Sequence, residues 1–226
     1  MWKALAFKEA RENLWIGAAG LAILLFVVAN QIGWDESLPA SYGFSSYGTA
    51  SGQIPFVADD FAIGVAAVAA LLAVALGFHQ TLGETLHGTY LLLFHLPVSR
   101  RRLVWVKLAA GLTVYAACTV PPVLLFAVWA ATPGTHASPF AWSMTWPVWR
   151  ILLSMTMLYL AAFLCGLRPA RWFGSRLLPL VVAAMPTFIL LEAPLPWWWL
   201  QVLITVVVDG IFLVCIQHVV RVRDFS

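Results

Sequence analysis

Six stretches of this chain are nearly unbroken runs of apolar side chains. Each approaches the roughly 20 residues that a helix needs to cross a bilayer. They are Leu14–Gly33, Phe61–Phe78, Leu103–Ala131, Ile151–Leu167, Leu177–Leu191 and Trp197–Val219. The third is long and contains Pro121–Pro122, which predicts a bend or an early break. The fifth is short and carries Pro179 and Pro186, which predicts a kink or entry into only part of the bilayer. Ahead of the first run, Met1–Asn13 reads as a short charged helix lying at the membrane surface. Its apolar face is poorly defined, because Glu9 falls on the side of Trp2 and Leu5. The predicted fold class is therefore all-α and integral to the membrane. Six transmembrane helices, an N-terminal interfacial helix and a short helix between spans two and three form one transmembrane domain over 1–226, with no soluble domain.

Composition supports the same picture. Hydrophobic residues make up 62% of the chain and charged residues only 10%, against roughly 25% charged in soluble domains. The surplus apolar surface has to face lipid. Cys118, Cys165 and Cys215 each fall inside an apolar run, so no disulfide framework is expected. The opening "MWKALAFKEARENLW" is interrupted by acids and lacks a small-residue cleavage site, so the first apolar run is expected to remain in the mature protein.

Charge then orients the helices. With the N-terminus in the cytoplasm, Lys3, Lys8, Arg11, Arg100, Arg101, Arg102, Lys107, Arg168, Arg171, Arg176, Arg221 and Arg223 all fall inside, and only Arg150 falls outside: 12 of the 13 basic residues. Lysine and arginine accumulate on the cytoplasmic side of membrane proteins, so both termini are expected there. Outside lie two longer loops and the short connection Glu192–Pro196. Gly33–Pro55 is rich in Ser, Gly and Tyr, and Thr132–Trp149 carries Trp142, Trp146 and Trp149; with Trp197–Trp199 these form an interfacial aromatic belt. Once the helices are placed, no basic face remains for nucleic acid.

The inner loop Gly83–Leu108 carries the densest basic cluster. Wound as a helix, Glu84–Leu96 puts Glu84, Gly88 and His95 on one narrow stripe, opposite Leu86, Tyr90, Leu93 and Phe94. Such a helix can lie along the membrane with one face turned to a cytoplasmic partner. Leu96–Pro97 ends it, and Ser99 is placed to cap the next helix. Arg100, Arg101, Arg102 and Lys107 read as an anchor at anionic headgroups, each worth about 1 kcal/mol. A positive-inside anchor alone accounts for these arginines.

The whole stretch resembles something more specific. Glu84, Gly88–Thr89, Leu91–Leu93, Leu96–Pro97–Val98–Ser99–Arg100, Leu103 and Lys107 look like the inner loop of ABC transporter permeases of the second exporter class. Those permeases carry a glutamate, glycine-threonine, a leucine run, Leu-Pro-Val-Ser-Arg and a following lysine between their second and third spans. The layout of six spans with a preceding short helix and a basic tail "RVRDFS" resembles theirs too. The resemblance implies that Glu84–Leu96 is a coupling helix, with Glu84, Gly88, Thr89, Leu92 and His95 at the contact with a separate ATPase subunit. It implies two ATPase copies, a second permease half of the same or similar chain, and a bacterial cytoplasmic membrane. ATP and Mg would sit on the partner ATPase and no cofactor on this chain, which has no G-x-x-x-x-G-K-[ST] loop. The chain would be a transport subunit and not catalytic by itself. One departure is the short outer connection Glu192–Pro196, where the family has re-entrant outer helices; Gly33–Pro55 is the candidate compensating feature.

Asp209 lies near the middle of the last span, ~18 Å from its outer end at ~1.5 Å per residue. A carboxylate at that depth is expensive unless paired, neutral or wet. One reading makes it part of a polar translocation path with Thr113 and Tyr159. The other has it held by hydrogen bonds from Thr113, Thr119 or Tyr159, with the adjacent Gly210 marking a close helix approach. Glu192 reads as a solvated outer-rim acid. Arg150 reads as paired with an outer acid or reaching for headgroups. His79, His87 and His95 do not hold one helical face, so no metal site is expected. Ser143 and Ser154 lack a nucleophile setting, which leaves an intramembrane enzyme or a non-transporting scaffold without a constellation. The alternative function is a secondary transporter driven by an ion gradient with Asp209 as its site. The lack of inverted repeats stands against it.

Overall fold

The structure is a computed structural model that describes residues 2–32, 55–56, 61–86, 99–135, 139–168, 173–192 and 198–222; for 2–6, 83–86, 100, 173 and 192 it describes the backbone alone. Among the described residues there are six α-helices: α1 (Trp2–Ile32), α2 (Phe61–Leu86), α3 (Arg100–Ala131), α4 (Trp146–Leu167), α5 (Phe173–Glu192) and α6 (Trp198–Val222). A single 3₁₀ turn, Trp142–Thr145, leads into α4. Among the described residues there is no strand. All six are long and apolar enough to cross a membrane, which makes this an all-α, multi-pass membrane protein.

The helices exceed the apolar runs at the polar ends. The charged segment before the first span and the span itself form one unbroken helix of 31 residues. The expected surface helix is thus continuous with the span, with no break at Asn13. Likewise α2 passes beyond Phe78 to Leu86, so Glu84 sits on its last turn rather than at the start of a separate helix. Pro121–Pro122 do not end α3, which runs on to Ala131, and both Pro179 and Pro186 lie inside α5. The remainder of the expected inner helix (87–96) with Pro97 and Val98, the first outer loop (33–54), the 193–197 connection and the tail 223–226 lie outside the described residues.

The helices alternate in direction, and side-chain contacts prove it. Glu9 on α1 meets Lys107 on α3; Asn13 on α1 meets His79 on α2. Thr81 near the end of α2 packs against Gly166 near the end of α4. Arg176 at the start of α5 reaches Cys165 and Gly166. Arg101 on α3 and Arg221 on α6 line one cavity. The basic residues of α1, α3, α5 and α6 are thereby gathered at one end of the bundle, with Arg168 just past the end of α4; Arg150, at the start of α4, lies at the other end. The opposite end is aromatic. Phe56, Phe61 and Phe126 pack with centroids 4.3–5.4 Å apart, and Trp146 stacks on Trp198 at 5.3 Å.

α4 is the centre, packed by α2, α5 and α6. From Met157 to Leu167 every residue is buried. Two glycines permit that closeness. A Cβ on Gly77 would stand 2.6 Å from the Tyr159 carbonyl oxygen and 2.9 Å from the Phe163 nitrogen, and a Cβ on Gly166 would collide with the Thr81 side chain. Small residues let helix backbones approach where lipid supplies no hydrophobic drive. Outward, Ile23, Phe26, Leu71, Val181, Phe188 and Val214 are exposed. These mid-helix residues form the greasy exterior that lipid covers.

Candidate functional site

The basic end holds a connected set of buried polar groups. Glu9 faces the bundle from α1, and Lys107 lies two turns into α3. Their side chains meet at 2.8 Å, each about 1% exposed. Two charges withdrawn from solvent to this degree are tolerable only when paired and hydrogen-bonded. Asn13, one turn after Glu9, donates to the Glu9 carbonyl at 2.7 Å and lies 3.1 Å from His79 Nδ1. The next residue on α2, Gln80, donates to the Lys107 carbonyl at 3.1 Å. Gln80 also accepts from the Tyr159 hydroxyl on α4 at 2.7 Å, and that hydroxyl lies 3.3 Å from the Leu108 carbonyl. Four helices are thus tied at one level. Gly111 makes the space: a Cβ there would run into the Tyr159 hydroxyl and stand 2.6 Å from Gln80 Oε1.

This network changes the reading of two sequence candidates. Lys107 is buried against Glu9 instead of reaching for headgroups. Tyr159 is fully buried in the same network, on the side of α4 that faces α2 and α3. Arg101 and Arg102 are exposed, as an anchor requires; the side chain of Arg100 is outside the description. Arg176, half-buried, donates to the Cys165 and Gly166 carbonyls at 3.1 and 3.2 Å. It thereby satisfies the open C-terminus of α4, where a cation is also favoured by the helix dipole.

A second polar spot lies mid-span. Asp209 Oδ2 accepts from the Thr156 hydroxyl at 2.6 Å, while Oδ1 has no hydrogen-bond partner among the described residues. Thr156 has one proton to give and a second acceptor, the Leu153 carbonyl, also at 2.6 Å. Thr113 and Thr119 bond the carbonyls of Ala109 and Tyr115 on their own helix. Asp209, Thr113 and Tyr159 are therefore not brought together, and the partner of Asp209 is Thr156. A Cβ on Gly210 would meet nothing within 4 Å, so that glycine marks no close approach within the chain. Arg150, on the first turn of α4, has no hydrogen-bond partner for its buried Nε among the described residues.

Of the expected ATPase contact, only the backbone of Glu84 is described; Gly88, Thr89, Leu92 and His95 lie outside the described residues. What is described is the frame on either side of that segment. α2 leads into it and α3 leads out, and Gln80 and Lys107 tie the two together.

Sequence reasoning missed Glu9, Asn13, Gln80 and Thr156. The signal for the first was present: an acid on the apolar side of a helix demands a buried cation, and Lys107 sits inside the next but one span.

No family model matches the chain, and no curated protein or solved structure matches it.

Proposed function

We propose that this chain is the membrane-spanning permease subunit of an ATP-driven exporter, moving a substrate by coupling to ATP hydrolysis on a separate polypeptide. The observation that carries the reading is the segment from Glu84 to Lys107, whose residue pattern resembles the inner loop of the second exporter class. The geometry around the segment supports it. A loop that transmits force between a motor and a helix bundle needs stiff attachment at both ends. Here α2 and α3 are cross-tied at the loop's base by Gln80, Lys107, Glu9 and Tyr159. In this reading the basic end faces the cytoplasm, Glu84, Gly88, Thr89, Leu92 and His95 meet two ATPase copies, and a second permease half completes the translocation path.

Purification from the host's membranes in mild detergent should recover an ATPase with this chain. Glu84→Ala and Gly88→Leu should leave insertion intact while separating ATP hydrolysis from transport. Normal transport by both variants would remove the coupling assignment.

One observation favours a second reading. The Oδ1 of half-buried Asp209, deep in α6 and without a hydrogen-bond partner among the described residues, is a candidate proton or cation ligand for a gradient-driven transporter. That reading requires transport without nucleotide and its complete loss in Asp209→Asn.

A further inference from the structure

A cavity of about 310 Å³ opens between α3 and α6 at the basic end of the bundle. α3 and α6 touch over only a short stretch, so the space between them is open-sided. Arg101 and Arg221 stand at its mouth, with Gln217 one turn deeper than Arg221. Trp105, Leu108 and Leu213 line the remainder, which is apolar. The two arginines are exposed, and neither makes an ion pair among the described residues. Among the described residues no acid lines the cavity. The acids described at this end are already engaged, Glu9 with Lys107 and Glu12 with Lys8.

The polarity is graded along the helix axis. From Arg101 to Leu108, and from Arg221 back to Leu213, the lining passes from guanidinium to hydrocarbon over ~10–12 Å at ~1.5 Å per residue. That gradient matches the headgroup-to-acyl boundary of a bilayer leaflet. Two guanidiniums at one mouth suit a phosphodiester, which they engage through paired N–H donors. Gln217 adds a donor and acceptor at the depth of a glycerol ester. An apolar trough below accepts the upper methylenes of one chain, and the open side lets the remainder lie among bulk lipid.

We propose that this cleft is a binding site for an anionic phospholipid of the leaflet at the basic end. The phosphate sits between Arg101 and Arg221, and an acyl chain lies along Leu108 and Leu213. The argument is charge complementarity: the cleft presents two exposed cations, without an acid beside them among the described residues, above an apolar wall, and anionic phospholipid is the amphiphile at that level which supplies both complements. Basic pockets between transmembrane helices recognise anionic headgroups in this manner.

The test uses phosphatidylcholine bilayers holding the full chain and a phosphatidylglycerol probe with a photoactivatable diazirine high on its acyl chain. Adducts are mapped to α3 and α6 by peptide mass spectrometry. The cleft peptides should carry on the order of tenfold more adduct from this probe than from a phosphatidylcholine probe of the same chain, in line with two surface cations. Arg101→Gln with Arg221→Gln should bring the two headgroups to parity, and Arg101→Lys with Arg221→Lys should keep most of the preference. Leu213→Trp, which fills the trough and leaves both charges in place, should reduce labelling by either probe; it decides the matter if the glutamine variant does not insert. Free glycerol phosphate should not compete. Equal labelling by both headgroups in the wild type overturns the proposal, as does labelling indifferent to both variants. A cleft that takes no probe but yields a cross-link from Leu213→Cys to a second copy or another protein overturns it too, and names a protein as the occupant.

Discussion

Glu9 and Lys107 are 98 residues apart in sequence and 2.8 Å apart in space, and both side chains are buried. Removing one partner leaves the other charge buried, which typically costs about 3–5 kcal/mol, whereas replacing both with apolar side chains is often neutral. Lys107→Met should therefore lower the thermal unfolding midpoint in detergent sharply. Glu9→Leu with Lys107→Met should recover most of that loss. A double variant as unstable as the single would show that the pair's neighbours, and not the uncompensated charge, set the cost. Gly111 offers a second test at this scale. Its missing Cβ is the space in which Tyr159 and Gln80 meet. Gly111→Ala should destabilise by about 1–3 kcal/mol, the usual range for overpacking, read from the same unfolding curves.

At the scale of elements, the stability of the bundle rests on α2 against α4. Gly77 approaches backbone atoms of Tyr159 and Phe163 that cannot rotate away. Gly77→Val should thus reduce the yield of folded protein or abolish it, as judged by size-exclusion profile. Gly210→Ala is the contrasting case. A Cβ there meets nothing, and alanine is favoured over glycine inside a helix by roughly 0.5–1 kcal/mol, so this variant should be as stable as the wild type or more so. The same contrast shows what the sequence discloses. All six spans were legible, because lipid imposes an apolar length that no other constraint can counterfeit. Their ends were less so: Glu9, Asn13 and Gln80 look like residues flanking the spans, yet they lie inside the spanning helices, where each finds a partner on another helix. Apolar run length cannot register that, since pairing across helices is invisible along one. For Asp209 the depth was readable and the partner was not. Thr156 was one of several hydroxyls on the neighbouring spans, and only the packing of α6 on α4 selects it. Gly77 and Gly210 look alike in sequence and differ only in what stands opposite.

At the scale of the whole molecule, the alternating helices concentrate basic side chains at one end and most of the described tryptophans at the other. That asymmetry is what a positive-inside protein requires, and it predicts sidedness. A lone cysteine replacing Arg101, after Cys215 and the two buried cysteines are removed, should resist membrane-impermeant maleimide in intact cells and react in inverted vesicles. A cysteine replacing exposed Trp142, at the aromatic end, should show the opposite behaviour. The proposal that a separate motor drives this bundle depends on that sidedness, and its most exposed commitment is the segment between α2 and α3. The direct measurement is a cross-link from His87→Cys, next to the proposed contact but outside its residue pattern, in cells carrying the chain at native level. The account predicts a nucleotide-responsive cross-link to an ATP-hydrolysing polypeptide, weakened by Glu84→Ala. A cysteine at His87 that is freely labelled from the cytoplasm, with no ATPase captured whether or not ATP is being hydrolysed, would contradict it.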